Sequence, residues 1–319
     1  MHLTADHLYL PDEALDKLGI APAEIADAIE TALIAKSEGR LFTTPKATIM
    51  PGQGRYMMST LAVGDDGLIV VKQVTVSPKN PTRDLPAING AIMVLDAETG
   101  LLRAVLGANW ITAHRTAALS AVAARRLADP ASETIAFVGC GVQADSHLLA
   151  FRNMFPLKQV LAVGRGEKNR ERFCAHARDL GLDACAAEPE EALRRADIVV
   201  TSITLDYTIK PFLNARWLKQ NAFAAITDLF IPWDAASIDA FGNVVVDDLE
   251  QERATDKPML PANAITGDLT ELVTGALAQH EDVKPAAFAF RGIALGDYAA
   301  AALVLGRAEA GGGGQKIAP

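Results

Sequence analysis

Residues 134–144 constrain the fold more than any other part of the chain. The run Thr134–Val138 is rich in β-branched and apolar residues, leads into Gly139-Cys140-Gly141, and is followed by a helix-forming run from Val142. This order predicts a strand, a glycine turn and the start of a helix, as at the opening of a dinucleotide-binding βαβ unit. An ordinary tight turn between a strand and a helix would show the same glycines. The pattern of the surrounding sequence must therefore distinguish a dinucleotide site from a simple turn.

Each small residue of this turn has a distinct physical role in the dinucleotide interpretation. Gly139 lets the chain turn sharply, and Gly141 lets the backbone approach a pyrophosphate closely. The first N–H groups of the next helix, from Val142 and Gln143, would face the phosphates with the positive end of the helix dipole. Ala144, at the third position of the pattern, is small enough to pack on the strand.

The chain after this turn alternates between strands and helices. The predicted strands are 159–163, 183–187, 197–202, 223–228 and 243–247, and the predicted helices are 142–155, 167–180 and 188–196. Alternation over roughly 110 residues is typical of a doubly wound parallel sheet. It favours the dinucleotide site over the simple turn. Ligands of such sheets bind at the carboxyl ends of the strands, which places Thr201, Ser202, Thr227 and Asp228 at the edge of the site.

The residues after the second strand of this unit bear on the choice of coenzyme. An acidic residue there selects NAD through the ribose hydroxyls, whereas an arginine suits the 2′-phosphate of NADP. No acidic residue ends the strand 159–163, and Arg165 follows it. The pattern leans toward NADP, although an arginine can also stack on adenine.

Composition excludes several classes of partner. The chain of 319 residues carries a net charge of −9 without a basic block, which argues against nucleic acid and anionic membranes as partners. Its three cysteines have unrelated spacings that suggest neither a disulfide framework nor a metal site. No signal peptide or transmembrane run is apparent. We therefore expect a cytoplasmic protein, and the length suggests two domains.

The first third of the chain predicts a second, sheet-bearing domain. Helices are expected at 11–19 and 22–38, and strands at 47–50, 55–63, 68–76, 91–96 and 101–107, with a long polar loop at 77–90. The segment from Phe288 should lead into a helix rich in small residues that ends at about 308 and returns to this domain. The glycine-rich tail from Gly311 should be flexible.

Two basic residues of this region stand in unusual surroundings. By alternation Lys72 shares a strand face with Val70 and Val74, which favours an inward lysine over one that snorkels from an exposed face. Arg115 lies near the start of an alanine-rich helix, where the dipole disfavours a cation. A bound anion would explain it, as would a nearby carboxylate. Lys46 and Arg55, taken alone, read as surface charges.

Three motifs together resemble the ornithine cyclodeaminase/mu-crystallin family over nearly the whole chain. They are Thr-x-x-Arg-Thr-Ala at 112–117, Val-Gly-Cys-Gly-Val-Gln-Ala at 138–144 and Gly-Ile-Ala-Leu-Gly-Asp at 292–297. The resemblance implies an α/β fold, with a Rossmann NAD(P)-binding domain at 117–290. A substrate-binding and dimerisation domain of α+β type would be formed by 1–116 and 291–319. The active site would lie in the cleft between them.

The resemblance also implies roles for individual residues. Lys72 and Asp228 would be catalytic, although the family's Asp-x-Pro-Gly-Lys is replaced here by residues 228–233. Lys46, Arg55 and Arg115 would bind the substrate. The coenzyme would be bound by Arg115, Thr116, Gly139, Gly141, Val142, Gln143, Arg165, Thr201, Ser202, Thr227 and Gly296.

The expected reaction is the NAD(P)H-dependent reduction of a small anionic 2-imino acid to the L-amino acid, or the reverse oxidative deamination. The cationic set of Lys46, Arg55, Lys72 and Arg115 in an acidic protein favours an anionic substrate, for which iminosuccinate is one candidate. The alternatives are a cyclodeaminase that recycles its NAD and a non-catalytic binding protein. The resemblance slightly favours NAD as coenzyme and implies a homodimer.

Overall fold

The computed structural model of the chain describes residues 6–278 and 284–318. The chain divides into two units, of which unit 1 comprises Met1–Arg115 with Ile293–Pro319 and unit 2 comprises Thr116–Gly292. None of the helices within the described ranges is long and apolar enough to cross a membrane.

Unit 1 contains one sheet and the helices that cover it. Its strands are β1 (His7–Leu10), β2 (Leu41–Thr43), β3 (Ala47–Gly52), β4 (Arg55–Gly64), β5 (Leu68–Val76), β6 (Ile88–Asp96), β7 (Leu102–Gly107) and β16 (Gln315–Ile317). Its helices are α1 (Asp12–Asp16), α2 (Pro22–Ser37) and α9 (Ala294–Gly311), together with the start of α3 (Ala108–Leu127).

The strands of unit 1 are ordered β16-β1-β7-β6-β5-β4-β2, and β3 also pairs with β4. Only the β1–β7 pair is parallel among these described strands. Side chains on β5 alternate as predicted, so that Val70, Lys72 and Val74 are all buried. Helix α9 packs on β4 and β5 and also contacts α2. The buried face of the sheet is therefore the face covered by helices.

Local sequence explains where the helices of unit 1 begin. Pro22 occupies the first position of α2, where a missing N–H costs nothing, and Glu24 Oε2 accepts a hydrogen bond of 2.8 Å from the Ala21 N–H. The first turn of α3 is capped from a distance, because Asp12 Oδ1 accepts a 2.8 Å hydrogen bond from the Trp110 N–H. A carboxylate at this end of a helix is stabilised by the helix dipole.

Unit 2 has the doubly wound architecture. Its strands are β8 (Thr134–Val138), β9 (Gln159–Val163), β10 (Asp183–Ala186), β11 (Ile198–Thr201), β12 (Phe223–Ile226), β13 (Asn243–Val246), β14 (Gly267–Asp268) and β15 (Ala286–Ala289). Its helices are the rest of α3 with α4 (Val142–Phe151), α5 (Glu167–Asp179), α6 (Pro189–Arg195), α7 (Leu249–Arg253) and α8 (Leu269–Thr274).

The sheet of unit 2 is parallel throughout, in the order β10-β9-β8-β11-β12-β15-β13-β14. Every residue of β11, β12, β13 and β15 is buried, as expected for a parallel sheet covered on both faces. The chain runs outward from β8 toward β9 on one side and continues at β11 on the other. The glycine turn after β8 therefore lies at the topological switch point, where such sheets bind ligands.

Several strands were not predicted, and one prediction was wrong. The short strands β1, β2, β14 and β15 were not predicted, and β15 was missed because Ala286–Ala289 has no β-branched residue. The prediction of a flexible tail is wrong for residues 311–318. Helix α9 extends to Gly311, and β16 pairs antiparallel with β1. Pro319 lies outside the described residues.

Candidate active site

The turn between β8 and α4 is sharp at Gly139, as the sequence predicted. Gly139 has a φ of +102°, which L-residues rarely adopt. A Cβ built on Gly139 would lie 2.6 Å from the carbonyl oxygen of Ser202, closer than packed atoms tolerate. Glycine is therefore required at this position by the protein itself.

Gly141 has a different environment. It is the N-cap of α4, with extended backbone angles, and a Cβ placed on it would meet no atom within 4 Å. Because the cap residue is a glycine, no side chain caps the first N–H groups of α4. Val142 is exposed and Gln143 is half-buried beside this helix start. The space in front of Gly141 is thus where an anion can approach the helix N-terminus.

Neighbouring elements hold the turn in place. The Gly139 N–H donates to the Val163 carbonyl oxygen at 2.9 Å, which ties the turn to the end of β9. From α5, Arg172 donates to the Cys140 carbonyl oxygen at 3.2 Å and pairs with Asp145 in the first turns of α4 at 2.8 Å. These contacts fix the backbone of the turn in advance of any ligand.

The carboxyl ends of β11 and β12 bring the predicted hydroxyl and carboxyl groups together. Thr227 Oγ1 donates to the Thr201 carbonyl oxygen at 2.9 Å, and Thr201 Oγ1 donates to Asp228 Oδ1 at 2.9 Å. Asp228 Oδ2 accepts from the Ile203 N–H at 3.1 Å. Ser202 N–H donates to the Val138 carbonyl oxygen, which places Ser202 beside the glycine turn. All four residues predicted at this edge lie within unit 2.

Asp228 is fully buried, which raises the pKa of its carboxyl group to about 7 against the opposing effect of its hydrogen bonds. It is followed by Leu229 and Phe230, both with a positive φ near 60°. Two consecutive non-glycine residues in this conformation are costly, and such strain is concentrated at functional sites. Trp233 is buried below them, with its indole N–H 3.4 Å from Thr201 Oγ1.

The end of β9 carries the predicted arginine and no acidic side chain. Arg165 is exposed in the turn between β9 and α5. Arg170 in the first turn of α5 donates to the Gly164 carbonyl oxygen at 3.1 Å. Two guanidinium groups therefore belong to this turn, whereas the first acidic residue after the strand is Glu167, inside the helix.

Unit 1 contains a buried cluster of charges around Asp297. Lys72 Nζ donates to Asp297 Oδ1 at 2.5 Å, and Arg115 Nε lies 2.9 Å from the same oxygen. Thr60 Oγ1 donates to the other oxygen, Oδ2, at 3.1 Å. All four side chains are at most 5% exposed. The inward lysine expected from strand alternation is confirmed, and Arg115 pairs with a carboxylate.

The pKa values of this cluster follow from burial and from mutual charge. Burial lowers the pKa of Lys72 to about 8, helped by the charge of Arg115 and opposed by that of Asp297. Burial alone would raise the pKa of Asp297, but the charges of Lys72 and Arg115 outweigh it and hold this pKa below its usual range. The lysine can therefore change its charge near neutral pH, while the aspartate stays ionised.

The remaining predicted residues have less distinctive surroundings. Lys46 is half-buried just before β3. Arg55 is exposed at the start of β4, where its Nε lies 3.5 Å from the Gly52 carbonyl oxygen of its own hairpin. Thr116 is buried in α3, and Gly296 is buried in the first turn of α9.

Sequence reasoning missed Thr60 and Asp297. Thr60 lies directly opposite Lys72 in the β4–β5 register, and Asp297 is the last residue of the 292–297 motif. A carboxylate in the alanine-rich, apolar stretch 293–306 was a signal in itself. A buried lysine needs a counter-charge, and Asp297 supplies it.

Comparison with known proteins places the chain in a family. The model of the "Ornithine cyclodeaminase/mu-crystallin family" matches residues 16–312. The chain belongs to this family. Among family relatives, the alanine dehydrogenase of Archaeoglobus fulgidus is 30% identical, covering 97% of this chain and 98% of its own. The ketimine reductase mu-crystallin of Macropus fuliginosus is 29% identical over 93% of this chain and 96% of its own.

Solved structures agree with this assignment. An archaeal alanine dehydrogenase dimer with bound NAD superposes with a TM-score of 0.87 at 27% identity, over 98% of this chain and 99% of that one. The fold is thus the NAD-binding fold of the ornithine cyclodeaminase/mu-crystallin family. An NAD(P) coenzyme fits the residues present in unit 2, because Gly141 opens onto the uncapped start of α4 and the turn is held rigid.

Proposed function

We propose that the protein is an NAD(P)-dependent oxidoreductase that reduces the C=N bond of a small anionic 2-imino acid to give an L-amino acid, and that it catalyses the reverse oxidation. The observation that carries this proposal is the buried pairing of Lys72 and Arg115 on one carboxylate, in a chain whose other unit has the dinucleotide fold. Unit 1 is assigned substrate binding, and unit 2 coenzyme binding.

In this proposal the cations of unit 1 bind the substrate carboxylate. Lysine and arginine form the strong, charge-assisted hydrogen bonds that such a group requires. Burial excludes water from the pair and strengthens the interaction. Lys46 and Arg55 are proposed as further contacts for an acidic substrate.

Unit 2 is proposed to bind the coenzyme at Gly139, Gly141, Val142 and Gln143, with Thr201, Ser202 and Thr227 at the strand ends. Arg115, Thr116 and Gly296 are further proposed coenzyme contacts. A bound NAD(P)H would supply the hydride to the imino carbon. The protein must then orient the imine and manage one proton. The family slightly favours NADH, and Arg165, together with the lack of an acidic residue after β9, leaves NADPH open.

The test is an assay at 340 nm with iminosuccinate, and separately with pyruvate plus ammonia, each with NADH and with NADPH. We expect coenzyme oxidation with at least one imino acid and formation of the corresponding L-amino acid. Higher turnover with iminosuccinate would indicate a dicarboxylate substrate. Absence of turnover with every imino acid would overturn the proposal.

The same assay distinguishes this reductase from two other activities, those of a cyclodeaminase and of a binding protein. A cyclodeaminase would release ammonia from ornithine without net change at 340 nm, because its coenzyme is recycled. A binding protein would bind coenzyme without turnover. The altered sequence after Asp228 supports the reductase over the cyclodeaminase, because the family's Asp-x-Pro-Gly-Lys surroundings are absent from residues 228–233.

Asp228 is proposed to carry the proton that the reduction consumes. Its pKa of about 7 keeps it protonated in slightly acidic solution, as a proton donor requires. We expect kcat to fall above pH 7 in the native enzyme and Asp228→Asn to remove this inflection with a loss of about a hundredfold or more. A variant that keeps both its turnover and the inflection would exclude this role.

Stability supplies a second readout for Asp228 that does not depend on activity. A carboxyl group whose pKa is raised by folding stabilises the protein below its unfolded pKa, and this contribution is lost as pH rises through about 7. The free energy of unfolding should therefore fall between about pH 4 and 7 more steeply in the native protein than in Asp228→Asn. Urea denaturation at several pH values measures the difference.

A homodimer is proposed through the outward face of the unit 1 sheet. Leu61, Val71, Met93 and Val105 are register neighbours across four adjacent strands and form an apolar row on this face. Leu61 and Met93 are both exposed. Such a row is better buried against a second copy. Sedimentation equilibrium should show a dimer, and Met93→Lys should give monomers; a native monomer at micromolar concentration would contradict this.

A further inference from the structure

Four elements of unit 1 meet at the carboxylate of Asp297. Lys72 comes from β5, Thr60 from β4 and Arg115 from α3, while Asp297 itself lies in the first turn of α9. Both cations end on Oδ1, and the hydroxyl ends on Oδ2. Both oxygens of Asp297 thus have partners, and the carboxylate cannot rotate without breaking a contact.

We propose that Asp297 is a positioning residue that holds the charged side chains of Lys72 and Arg115 side by side for a single substrate carboxylate. This inference rests on the proposed function. Two buried cations repel each other, so they need a shared anion to stay adjacent when no substrate is bound. A substrate carboxylate then meets a pair of donors that is already oriented.

The position of Asp297 in α9 suits this role. Acidic residues in the first turn of a helix are stabilised by the positive end of the dipole, and α9 has 18 residues. The helix therefore keeps Asp297 ionised while its side chain faces the two cations. The direction of its pKa, below the usual range, agrees with this geometry.

The charge of Asp297 also determines the protonation of Lys72. The charged groups that face Lys72 are Arg115 from α3 and Asp297 from α9, and its register neighbours Thr60 and Ile92 do not titrate in this range. Asp297 is the member of this set that favours the charged lysine. Without it, burial and Arg115 would both act to remove the proton.

The decisive experiment measures kcat/KM for the imino acid between pH 5.5 and 9.5 at saturating coenzyme, in the native enzyme and in Asp297→Asn. The native profile should fall in two steps, above about pH 7 as Asp228 loses its proton and more steeply above about pH 8 as Lys72 does. In the variant the loss of the Lys72 proton should begin at least about one pH unit lower, so that kcat/KM at pH 9 is about tenfold lower or worse. The ionisation of the substrate is common to both profiles and cancels in the comparison.

A matched control is Asp66→Asn. Asp66 accepts a hydrogen bond from Tyr298, the residue next to Asp297, but is exposed and does not contact Lys72. Its profile should coincide with the native one. A merely structural Asp297 would lower activity by the same factor at every pH, and an unshifted profile in Asp297→Asn would overturn the proposal.

Thr60→Val tests the positioning role of Asp297 if Asp297→Asn does not fold. It removes the hydrogen bond to Oδ2 while retaining shape and all charges, and should lower kcat/KM roughly tenfold. Native kcat/KM in this variant would contradict a positioning carboxylate.

Calorimetric binding of pyruvate, without ammonia, to the oxidised coenzyme complex gives a readout apart from turnover. Its affinity should show the same pH shift in Asp297→Asn. If Lys72→Met abolishes turnover while Asp297→Asn keeps the native pH dependence, the proposed function stands and this inference fails.

Discussion

Replacing Lys72 by methionine should reduce kcat/KM for the imino acid by about a thousandfold or more, with coenzyme affinity unchanged. The variant removes one of two cations from the buried pair, and loss of a positioned acid–base or charge-assisted group of this kind costs about 10²–10⁴ in rate. Coenzyme binding should be unaffected because the glycine turn and its supports belong to unit 2.

The fold should survive this substitution. Methionine fills nearly the volume of lysine, and Asp297 keeps Arg115 at 2.9 Å, so no carboxylate is left without a cation. Replacement of a buried ion by an apolar residue of similar size is often neutral for stability. Lys316→Ala, which removes an exposed strand lysine of the same unit, is the control. Turnover in Lys72→Met within tenfold of native would exclude Lys72 from the site.

Substitution of the two glycines of the glycine turn, Gly139 and Gly141, should separate effects on folding from effects on coenzyme binding. Gly141→Ala places a methyl group where no protein atom lies within 4 Å, so the free energy of unfolding should be unchanged. The same methyl group would obstruct a pyrophosphate at the start of α4. Loss of one or two hydrogen bonds to a charged group corresponds to a dissociation constant raised about 10–100-fold.

Gly139→Ala should instead lower the free energy of unfolding. Its φ of +102° and the 2.6 Å approach to Ser202 O oblige the backbone to move, at a cost of about 3 kcal/mol or more in stability. Urea denaturation and calorimetric titration with NADH and NADPH measure both quantities in each variant. Unaltered coenzyme binding in Gly141→Ala would show that phosphates do not approach this turn.

The parts that were predictable from sequence are those governed by local pattern. The β/α alternation after Thr134 predicted the parallel sheet, and the glycine spacing predicted the sharp turn at Gly139. Alternation along β5 predicted that Lys72 faces inward, because neighbouring positions of that face are valines. These features depend on residues that are close together in the chain.

Features that depend on distant pairings could not be derived in this way. Asp297 contacts Lys72 across 225 positions of sequence, and no local pattern at either residue names the other. Strand β15 was overlooked because its alanines acquire strand geometry only by insertion between β12 and β13. The burial of Asp228, and with it a pKa near neutrality, likewise arises from packing of the sheet edge.

Unit 1 is built from the first and the last residues of the chain. The two units must therefore complete their folding in a fixed order during synthesis. Strand β1 pairs with β16, and Lys72 pairs with Asp297. Translation of residues 116–292 intervenes before either partner exists, which takes roughly ten seconds or more at typical elongation rates. During this interval the lysine has no counter-ion and its sheet has no final edge. Unit 2 can therefore fold first on the ribosome. Unit 1 completes its folding only when α9 and β16 have emerged.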